Sequence, residues 1–369
     1  MIPQAFQPNS PAILVQVFFA KHSEDYVTEF KELALSAKLR PVEIIEMNRK
    51  APDAKYFIGS GKAKEIAELV RTHNAHQVLF NHALSPSQKR NLETLFECSV
   101  IDRTELILHI FALRARTFEG KLQVELAQLH YMSTRLVRGW THLERQKGGI
   151  GLRGGPGETQ LEVDRRLLRQ RIKTVEQRLE SVHKQRQLGR RARQRADVPS
   201  VSLIGYTNAG KSTLFNRLTR SDVYVANQLF ATLDPTLRRI SFPQTGTVIL
   251  ADTVGFIRDL PHDLVNAFHA TLEETLQATL LLHVIDACSP ERQHYIDAVE
   301  KVLKQIGAED VPQLQVFNKL DMLPDQTPRI DRNDEGRPIR VWLSAATGAG
   351  IPLLHEALSE ILKIAKKGT

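Results

Sequence analysis

Short apolar runs alternate with helix-like stretches through the first hundred residues. The runs at 13–19, 42–48, 77–80 and 99–102 read as strands, and the stretches at 23–38, 62–70 and 86–96 read as helices. Strands that alternate with helices are typical of a small parallel sheet. We therefore predict a first α/β domain over residues 1–113.

The next region has a different pattern, with apolar side chains on one stripe of each of two long helices, at 121–145 and 158–195. The stripe positions are Leu122, Leu126, Leu129, Leu136, Trp140 and Leu143 in the first helix, and Leu161, Leu168, Ile172, Val175, Leu179 and Val182 in the second. The segment between them, GGIGLRGGPGE at 148–158, is too rich in glycine for a helix. This pattern predicts an antiparallel coiled-coil hairpin over residues 114–197.

Apolar strands return in the last region. They lie at 201–205, 247–252, 280–286, 314–318 and 339–344, with helical stretches between them and a final helix at 351–366. This order predicts a doubly wound α/β domain over residues 198–369.

Composition adds a broad class to this picture. An apolar content of 42% suits a globular chain. The sequence has no run of about 20 apolar residues of the kind that spans a bilayer, and its start lacks the features of a secretory signal. We expect no membrane span.

The net charge of +8 is unevenly distributed. Residues 1–113 carry 13 basic and 13 acidic side chains, residues 114–197 carry 20 and 9, and residues 198–369 carry 17 and 20. The basic excess therefore lies in the predicted hairpin, where a polyanion such as RNA is expected to bind. A solvated helix face and a coiled-coil dimer seam are the alternatives for this charge.

The segment from Gly205 to Ser212 matches the phosphate-loop motif GxxxxGK[ST], and it follows a strand and precedes a helix. The expected nucleotide contacts are Gly205, Tyr206, Thr207, Asn208, Ala209, Gly210, Lys211 and Ser212. Backbone N–H groups would surround the phosphates. Lys211 would reach the β- and γ-phosphates, and the Ser212 hydroxyl would bind Mg²⁺.

Two further segments complete the expected phosphate site. Asp252, Thr253, Val254 and Gly255 follow an apolar strand, so Asp252 is expected to hold Mg²⁺, directly or through water, and the Gly255 N–H is expected at the γ-phosphate. Phe230, Ala231, Thr232, Leu233 and Asp234 lie earlier, in a loop where one threonine should close on the metal. Both Thr232 and Thr236 are candidates on this pattern.

Base selection is predicted from Asn318, Lys319, Leu320 and Asp321. A carboxylate can accept two hydrogen bonds from guanine, and adenine offers no such pair of donors. Asn318 can meet guanine N7 and brace the loop, while the Lys319 stem packs on the ring. Ser344, Ala345 and Ala346 end the next strand, where a backbone N–H could donate to guanine O6. GTP is therefore favoured over ATP in this domain.

The position after Gly255 is Phe256, where Ras-type enzymes have the glutamine that orients the attacking water. Phenylalanine cannot orient water. We predict slow intrinsic turnover, with a partner, a potassium ion or another residue completing the site.

These motifs together resemble the HflX GTPases of the wider Obg-related group. The segments that carry the resemblance are GYTNAGKSTLFN (205–216), FATLDPT (230–236), DTVGF (252–256), NKLD (318–321) and, most specifically, GGIGLRGGPGETQLEVDRR (148–166). The resemblance implies Ser212 and Thr232 as Mg²⁺ ligands, which selects Thr232 over Thr236. The expected catalytic set is Lys211, Thr232 and Gly255.

The resemblance also implies a cytoplasmic factor that binds the large ribosomal subunit and its rRNA and splits stalled or idle ribosomes. We expect a monomer that uses GTP, GDP and Mg²⁺. The main alternative is an RNA-binding, ATP-dependent remodeller with a regulatory G domain. Gly59–Lys62 would be its half phosphate loop for ATP, although the upstream glycine of the full motif is missing and an ordinary βα turn is the other interpretation. A signalling GTPase whose hairpin binds protein or lies peripherally on an anionic membrane is the third class.

Overall fold

The computed structural model describes residues 8–19, 24–138, 156–195, 198–220, 229–242, 246–258 and 275–367. The chain divides into two compact units: Met1–Leu113 with Lys121–Leu179, and Arg114–Gly120 with Glu180–Thr369. The three-region division at 113/114 and 197/198 stays a prediction. None of the described helices is long and apolar enough to cross a membrane.

The first unit contains a four-stranded sheet. Its elements are β1 (Pro11–Phe18), α1 (Glu24–Ser36), β2 (Arg40–Asn48), α2 (Ser60–Thr72), β3 (Gln77–Phe80), α3 (Pro86–Phe96), β4 (Ser99–Asp102) and α4 (Arg103–Arg114). The strands are parallel in the order β2-β1-β3-β4, which confirms the predicted parallel sheet. Helix α4 was not predicted. Its residues are buried on nearly every side, so its sequence lacks a one-sided apolar stripe.

Two long helices follow, α5 (Phe118–Arg138) and α6 (Pro156–Arg195). Within the first unit, Leu122 packs with Val175 and Leu179, and Arg171 donates to Glu125 at 2.6 Å. Leu122 thus contacts the region of Leu179, and Glu125, which lies later in α5, contacts Arg171, which lies earlier in α6. This order of contacts is that of two antiparallel helices. Five of the predicted stripe residues therefore pack in one cluster: Leu122, Leu126, Leu129, Val175 and Leu179.

The amino end of α6 corrects one boundary. The helix begins at Pro156, inside the segment 148–158 that was expected to be entirely loop. Proline suits a first helical position because its φ is already helical and its missing N–H is not needed there. Residues 139–155, with Trp140, Leu143 and the other glycines of that segment, lie outside the described residues.

The second unit is a doubly wound domain, as predicted. Its elements are β5 (Ser200–Ile204), α7 (Lys211–Thr219), β6 (Thr236–Phe242), β7 (Gly246–Asp252), β8 (Leu280–Asp286), α8 (Arg292–Ile306), β9 (Gln313–Asn318), β10 (Arg329–Arg332), β11 (Pro338–Trp342) and α9 (Ile351–Lys367). The sheet order is β10-β11-β9-β8-β5-β7-β6, with antiparallel strands at both edges. These two edge strands were missed because TLRRISF and RIDR carry charges in place of apolar runs.

A buried histidine on β8 makes the stability of this unit depend on pH. The side chain of His283 is 1% exposed, and burial, helped by the charge of Lys211, lowers its pKa to about 4. The unfolded chain takes up this proton near pH 6.5, above the folded pKa. Stability is therefore fully present above about pH 6.5 and is lost as the pH falls towards 4.

We expect the free energy of unfolding to fall between pH 7 and pH 5.5 by about 1 kcal/mol more in the wild type than in His283→Gln. Urea unfolding followed by Trp342 fluorescence, in a Trp140→Phe background, measures this difference. His294→Gln changes an exposed histidine of the same unit and is the matched control. Equal pH slopes in the wild type and His283→Gln would contradict the assignment.

Candidate nucleotide-binding site

The phosphate-loop motif forms the turn between β5 and α7. Gly205 has φ +141°, and an added Cβ there would lie 2.2 Å from the carbonyl oxygen of Val284. Gly210 has φ +94°, and an added Cβ would lie 2.2 Å from Nδ2 of Asn318. Both positions therefore require glycine, on conformational and on steric grounds. The turn delivers the unpaired N–H groups of the start of α7 to the cleft, where they can bind phosphate.

Lys211 lies buried beneath this loop. Its ammonium donates to the carbonyl oxygens of Gly205 at 3.0 Å and Tyr206 at 2.8 Å. Burial lowers the pKa of Lys211 to about 8, while the charge of Asp252 partly opposes this shift. The ammonium is held by carbonyl groups in the position from which it can donate to phosphate oxygens.

Three oxygen ligands meet at the other side of the cleft. Oδ2 of Asp252 accepts hydrogen bonds from Ser212 Oγ and Thr232 Oγ1, each at 2.8 Å, and the two hydroxyl oxygens are 3.0 Å apart. Adjacent ligands of octahedral Mg²⁺, at about 2.1 Å from the metal, are separated by about 3.0 Å. Buried Oδ1 of Asp252 has no hydrogen-bond partner among the described residues. This donor set fits Mg²⁺.

The geometry distinguishes between the two candidate threonines, Thr232 and Thr236. Thr232 lies in the oxygen cluster, whereas Thr236 begins β6 and is paired with Asp252 in the sheet ladder. Burial raises the pKa of Asp252, and Lys211 together with the two hydroxyl donors opposes the shift.

The phosphate loop and the segments of Thr232 and Gly255 surround an open cleft of about 460 Å³, a volume that includes the solvent space at its mouth. The lining residues are Thr207, Asn208, Gly210, Lys211, Ser212, Thr213, Phe230, Ala231, Thr232, Thr253 and Gly255. Thr213 was not among the predicted contacts, although its place directly after the motif, in the first turn of α7, was a usable signal. The side chains of Ala209, Leu233, Val254 and Leu320 are instead buried in the protein.

Two predicted contact residues direct their side chains elsewhere. The Tyr206 ring stacks on Tyr295 with centroids 4.2 Å apart, and its hydroxyl accepts from the Arg258 N–H at 2.8 Å. The Asp234 carboxylate accepts hydrogen bonds from Arg116 and Thr117.

Phe256 is part of the core and does not face the cleft. Its side chain is 2% exposed and packs with Ile204, Leu281 and Leu303. Its backbone N–H donates to the Gly205 carbonyl at 3.1 Å, and its carbonyl accepts from the Thr207 N–H at 2.7 Å. The residue after Gly255 therefore holds two loops together.

The base-selecting segments meet at the carboxyl ends of β9 and β11. Buried Asn318 donates from Nδ2 to the Ala209 carbonyl at 2.9 Å and accepts at Oδ1 from the Ala345 N–H at 2.8 Å. One side chain thus braces the phosphate loop against the 344–346 loop. Asp321 Oδ1 accepts from the Ser344 hydroxyl at 2.5 Å, which fixes the carboxylate that can bind guanine.

The 344–346 loop is also held from α7. Arg217 donates to the carbonyl oxygens of Ala345, at 3.1 Å, and Ala346. The N–H groups of Ser344 and Ala345 are both used within the protein, while that of Ala346 donates to no described residue. Of these three N–H groups, that of Ala346 therefore stays available as a hydrogen-bond donor. No sequence motif singled out Arg217.

Three family models match the chain in order. They are the GTP-binding GTPase N-terminal region over 24–112, the GTP-binding GTPase middle region over 114–193 and the 50S ribosome-binding GTPase over 200–319. The GTPase HflX of Escherichia coli strain K12 is 64% identical over 359 residues, which cover 97% of this chain and 84% of that protein. The chain belongs to the HflX GTPase family. The HflX of Magnetococcus marinus is 47% identical over 96% of this chain and 82% of its own length.

Solved structures agree with this fold. A GTP-binding protein from Sulfolobus solfataricus in complex with GDP is 23% identical, with a TM-score of 0.50 over 96% of this chain and 99% of that one. A complex of SsGBP and GDP is 24% identical, with a TM-score of 0.53 over 96% and 98%. As an HflX GTPase the chain binds GTP and GDP, which confirms the predicted activity. ATP at Gly59–Lys62 finds no support, and Lys62 pairs with Glu65 at 2.6 Å.

Placing glutamine at the Phe256 position is not expected to speed hydrolysis, because that side chain points into the core. Phe256→Gln should lower the free energy of unfolding by about 3 kcal/mol and leave the intrinsic GTPase rate no higher. Urea unfolding and single-turnover hydrolysis measure the two effects. Met322→Gln, at a side chain that is 64% exposed, is the matched control. A large rise in rate without a loss of stability would contradict this placement of Phe256.

Removing the Arg217 guanidinium should loosen the 344–346 loop. We expect Arg217→Ala to weaken GDP binding roughly threefold to tenfold, because two loop carbonyls lose their donor. Arg220→Ala removes an exposed arginine directly after α7 and should leave affinity unchanged. Equilibrium titration with a fluorescent GDP tests both variants, and equal affinities would remove Arg217 from the guanine site.

Proposed function

We propose that this HflX-family GTPase works on the large ribosomal subunit and splits stalled or idle ribosomes while GTP is bound. The family model that matches residues 200–319 is described as a 50S ribosome-binding GTPase, which supports this partner. The observation that carries the proposal is the set of exposed basic side chains on α6, which outnumber the exposed acidic ones by six to four in the described part of the helix.

Helix α6 has one apolar side and one charged side. Val175 and Leu179 are buried in the cluster with Leu122. The exposed basic side chains described on α6 are Arg166, Arg169, Arg171, Lys173, Arg178 and Lys184. Structured RNA is recognised largely through shape and phosphate contacts, which suits cations fixed on a rigid helix. We infer that this face meets rRNA.

The residues of the cleft have distinct roles in the proposed hydrolysis. Lys211 and the N–H groups at the start of α7 hold the phosphates, and the Gly255 N–H donates to the γ-phosphate. Ser212 and Thr232, with Asp252, would hold Mg²⁺, which would supply positive charge against the charge that develops on the phosphate oxygens. Asp321 and the Ala346 N–H select guanine.

Hydrolysis by the free protein is proposed to be slow. The side chain after Gly255 is buried in the core, so it cannot orient a water molecule at the γ-phosphate. We propose that the bound subunit completes this step, which restricts hydrolysis to the ribosome.

Charge reversal on α6 tests the proposal. We expect the wild type to sediment with large subunits when a non-hydrolysable GTP analogue is bound and much less with GDP. Arg166→Glu, Arg169→Glu and Lys173→Glu together should weaken this binding at least tenfold, because three phosphate contacts become repulsive. The matched control, Lys301→Glu with Lys304→Glu, reverses two exposed lysines of α8 and should bind normally.

Light scattering by intact ribosomes reports splitting in the same samples. Sedimentation that is absent, or equal with both nucleotides, would overturn the proposal. Strand separation of an RNA duplex that requires ATP would favour the remodeller. Binding to anionic vesicles with no binding to subunits would favour a membrane-associated signalling GTPase.

A further inference from the structure

An ionic helix cap connects the loop of Thr232 to the start of α5. Oδ2 of Asp234 accepts from the backbone N–H groups of Arg116 at 2.8 Å and Thr117 at 2.9 Å, and Oδ1 accepts from the Thr117 hydroxyl at 2.6 Å. Arg116 and Asp234 are 118 positions apart in the chain. Both belong to the second compact unit, which includes Arg114–Gly120.

The contact provides hydrogen-bond acceptors for backbone N–H groups at the beginning of α5. Thr117 directly precedes the helix, and its hydroxyl accepts from the Gly120 N–H at 2.9 Å, as an N-cap does. The amino end of a helix has unpaired N–H groups and a partial positive charge, so it favours a carboxylate. Asp234 supplies that charge from the loop that precedes β6.

Gly120 provides a second, steric observation. A Cβ at this position would lie 2.0 Å from Oδ1 of Asp234. Glycine in the first turns of a helix lowers its stability relative to alanine. Here the missing side chain makes room for the carboxylate.

The same short loop is fixed at the nucleotide cleft. Thr232 Oγ1 is bonded to Asp252 and Ser212, and Thr236 is paired with Asp252 in the ladder. Two residues of extended chain span only about 7 Å, so an intact contact at Asp234 limits how far Thr232 can move away from the cluster.

We propose that Asp234 is a positioning residue for hydrolysis: it uses the amino end of α5 to hold Thr232 at the Mg²⁺ of bound GTP. The inference rests on Thr232 being a metal ligand. It also makes the first turn of α5 sensitive to the nucleotide. Loops of this kind are ordered by the γ-phosphate and Mg²⁺ and released after hydrolysis. When Thr232 is released, α5 loses its cap, so the nucleotide state reaches the helix that enters the basic helical region.

Two variants remove the contact from opposite sides. Asp234→Ala deletes the carboxylate, and Thr117→Val deletes the hydroxyl donor while keeping the shape of the side chain. Both should weaken the Mg²⁺ complex of a non-hydrolysable GTP analogue, Asp234→Ala by about tenfold, and leave GDP affinity unchanged. The double variant should bind the analogue no more weakly than Asp234→Ala, because Thr117 is proposed to act on the nucleotide only through the carboxylate that Asp234→Ala already removes.

Hydrogen–deuterium exchange of the 369-residue chain measures the protection of the backbone amides at the α5 end of the contact. In the wild type, the backbone amides of 116–120 should exchange more slowly with the GTP analogue than with GDP. In Asp234→Ala this difference should disappear. Asp297→Ala changes an exposed carboxylate of α8 and should behave as the wild type does.

Three outcomes would overturn the proposal. They are equal weakening of GDP and analogue binding, additive effects in the double variant, and exchange at 116–120 that does not depend on the nucleotide in the wild type. If Asp234→Ala fails to fold, Thr117→Val provides the same comparison. If the variants bind GDP normally, the nucleotide site itself is intact, and weaker binding of the analogue can be assigned to loss of the Asp234 contact.

Discussion

The buried carboxylate of Asp252 is the charge around which the second compact unit is organised. It lies with no exposure at the end of β7, where an uncompensated ion would be strongly unfavourable. Its partners come from separate segments: Ser212 from the start of α7, Thr232 from the loop before β6, and the charge of Lys211 nearby. Compensating one charge therefore fixes the phosphate loop and the threonine loop together.

Three glycines let neighbouring segments approach closely enough to form this site. At Gly205, Gly210 and Gly255 an added Cβ would lie within 3 Å of a neighbouring group, in each case one from a distant part of the chain or from the facing loop. The Gly210 approach admits the Asn318 amide, so the guanine side is braced against the phosphate side. The proposed role of Gly120 uses the same device for the carboxylate of Asp234. Glycine is thus placed where two loops must touch, and at Gly205 and Gly210 the backbone conformation also requires it.

The predictions from sequence were accurate where one local pattern was sufficient. The central parallel strands β1, β3, β5 and β8 are buried on both faces, so their apolar runs were visible. The phosphate-loop and NKLD motifs each predict a nucleotide contact from residue types within a few positions of one another. Helix α4 was missed because it is buried on several sides, and strands β6 and β10 were missed because edge strands carry charge. Arg217 and the contacts of Asp234 had no local signal, since their partners are more than a hundred residues away.

The sequence by itself determined the nucleotide chemistry, the family and the concentration of basic charge in residues 114–197, because each is encoded by residue types at short spacing. Only the tertiary structure decided which groups meet. It brought Thr232 to Asp252 and placed Thr236 in the ladder, turned Phe256 into the core, and set the Asp234 carboxylate on the first turn of α5. These outcomes depend on competition between burial, charge compensation and chain reach across distant segments, and no local pattern contains that information.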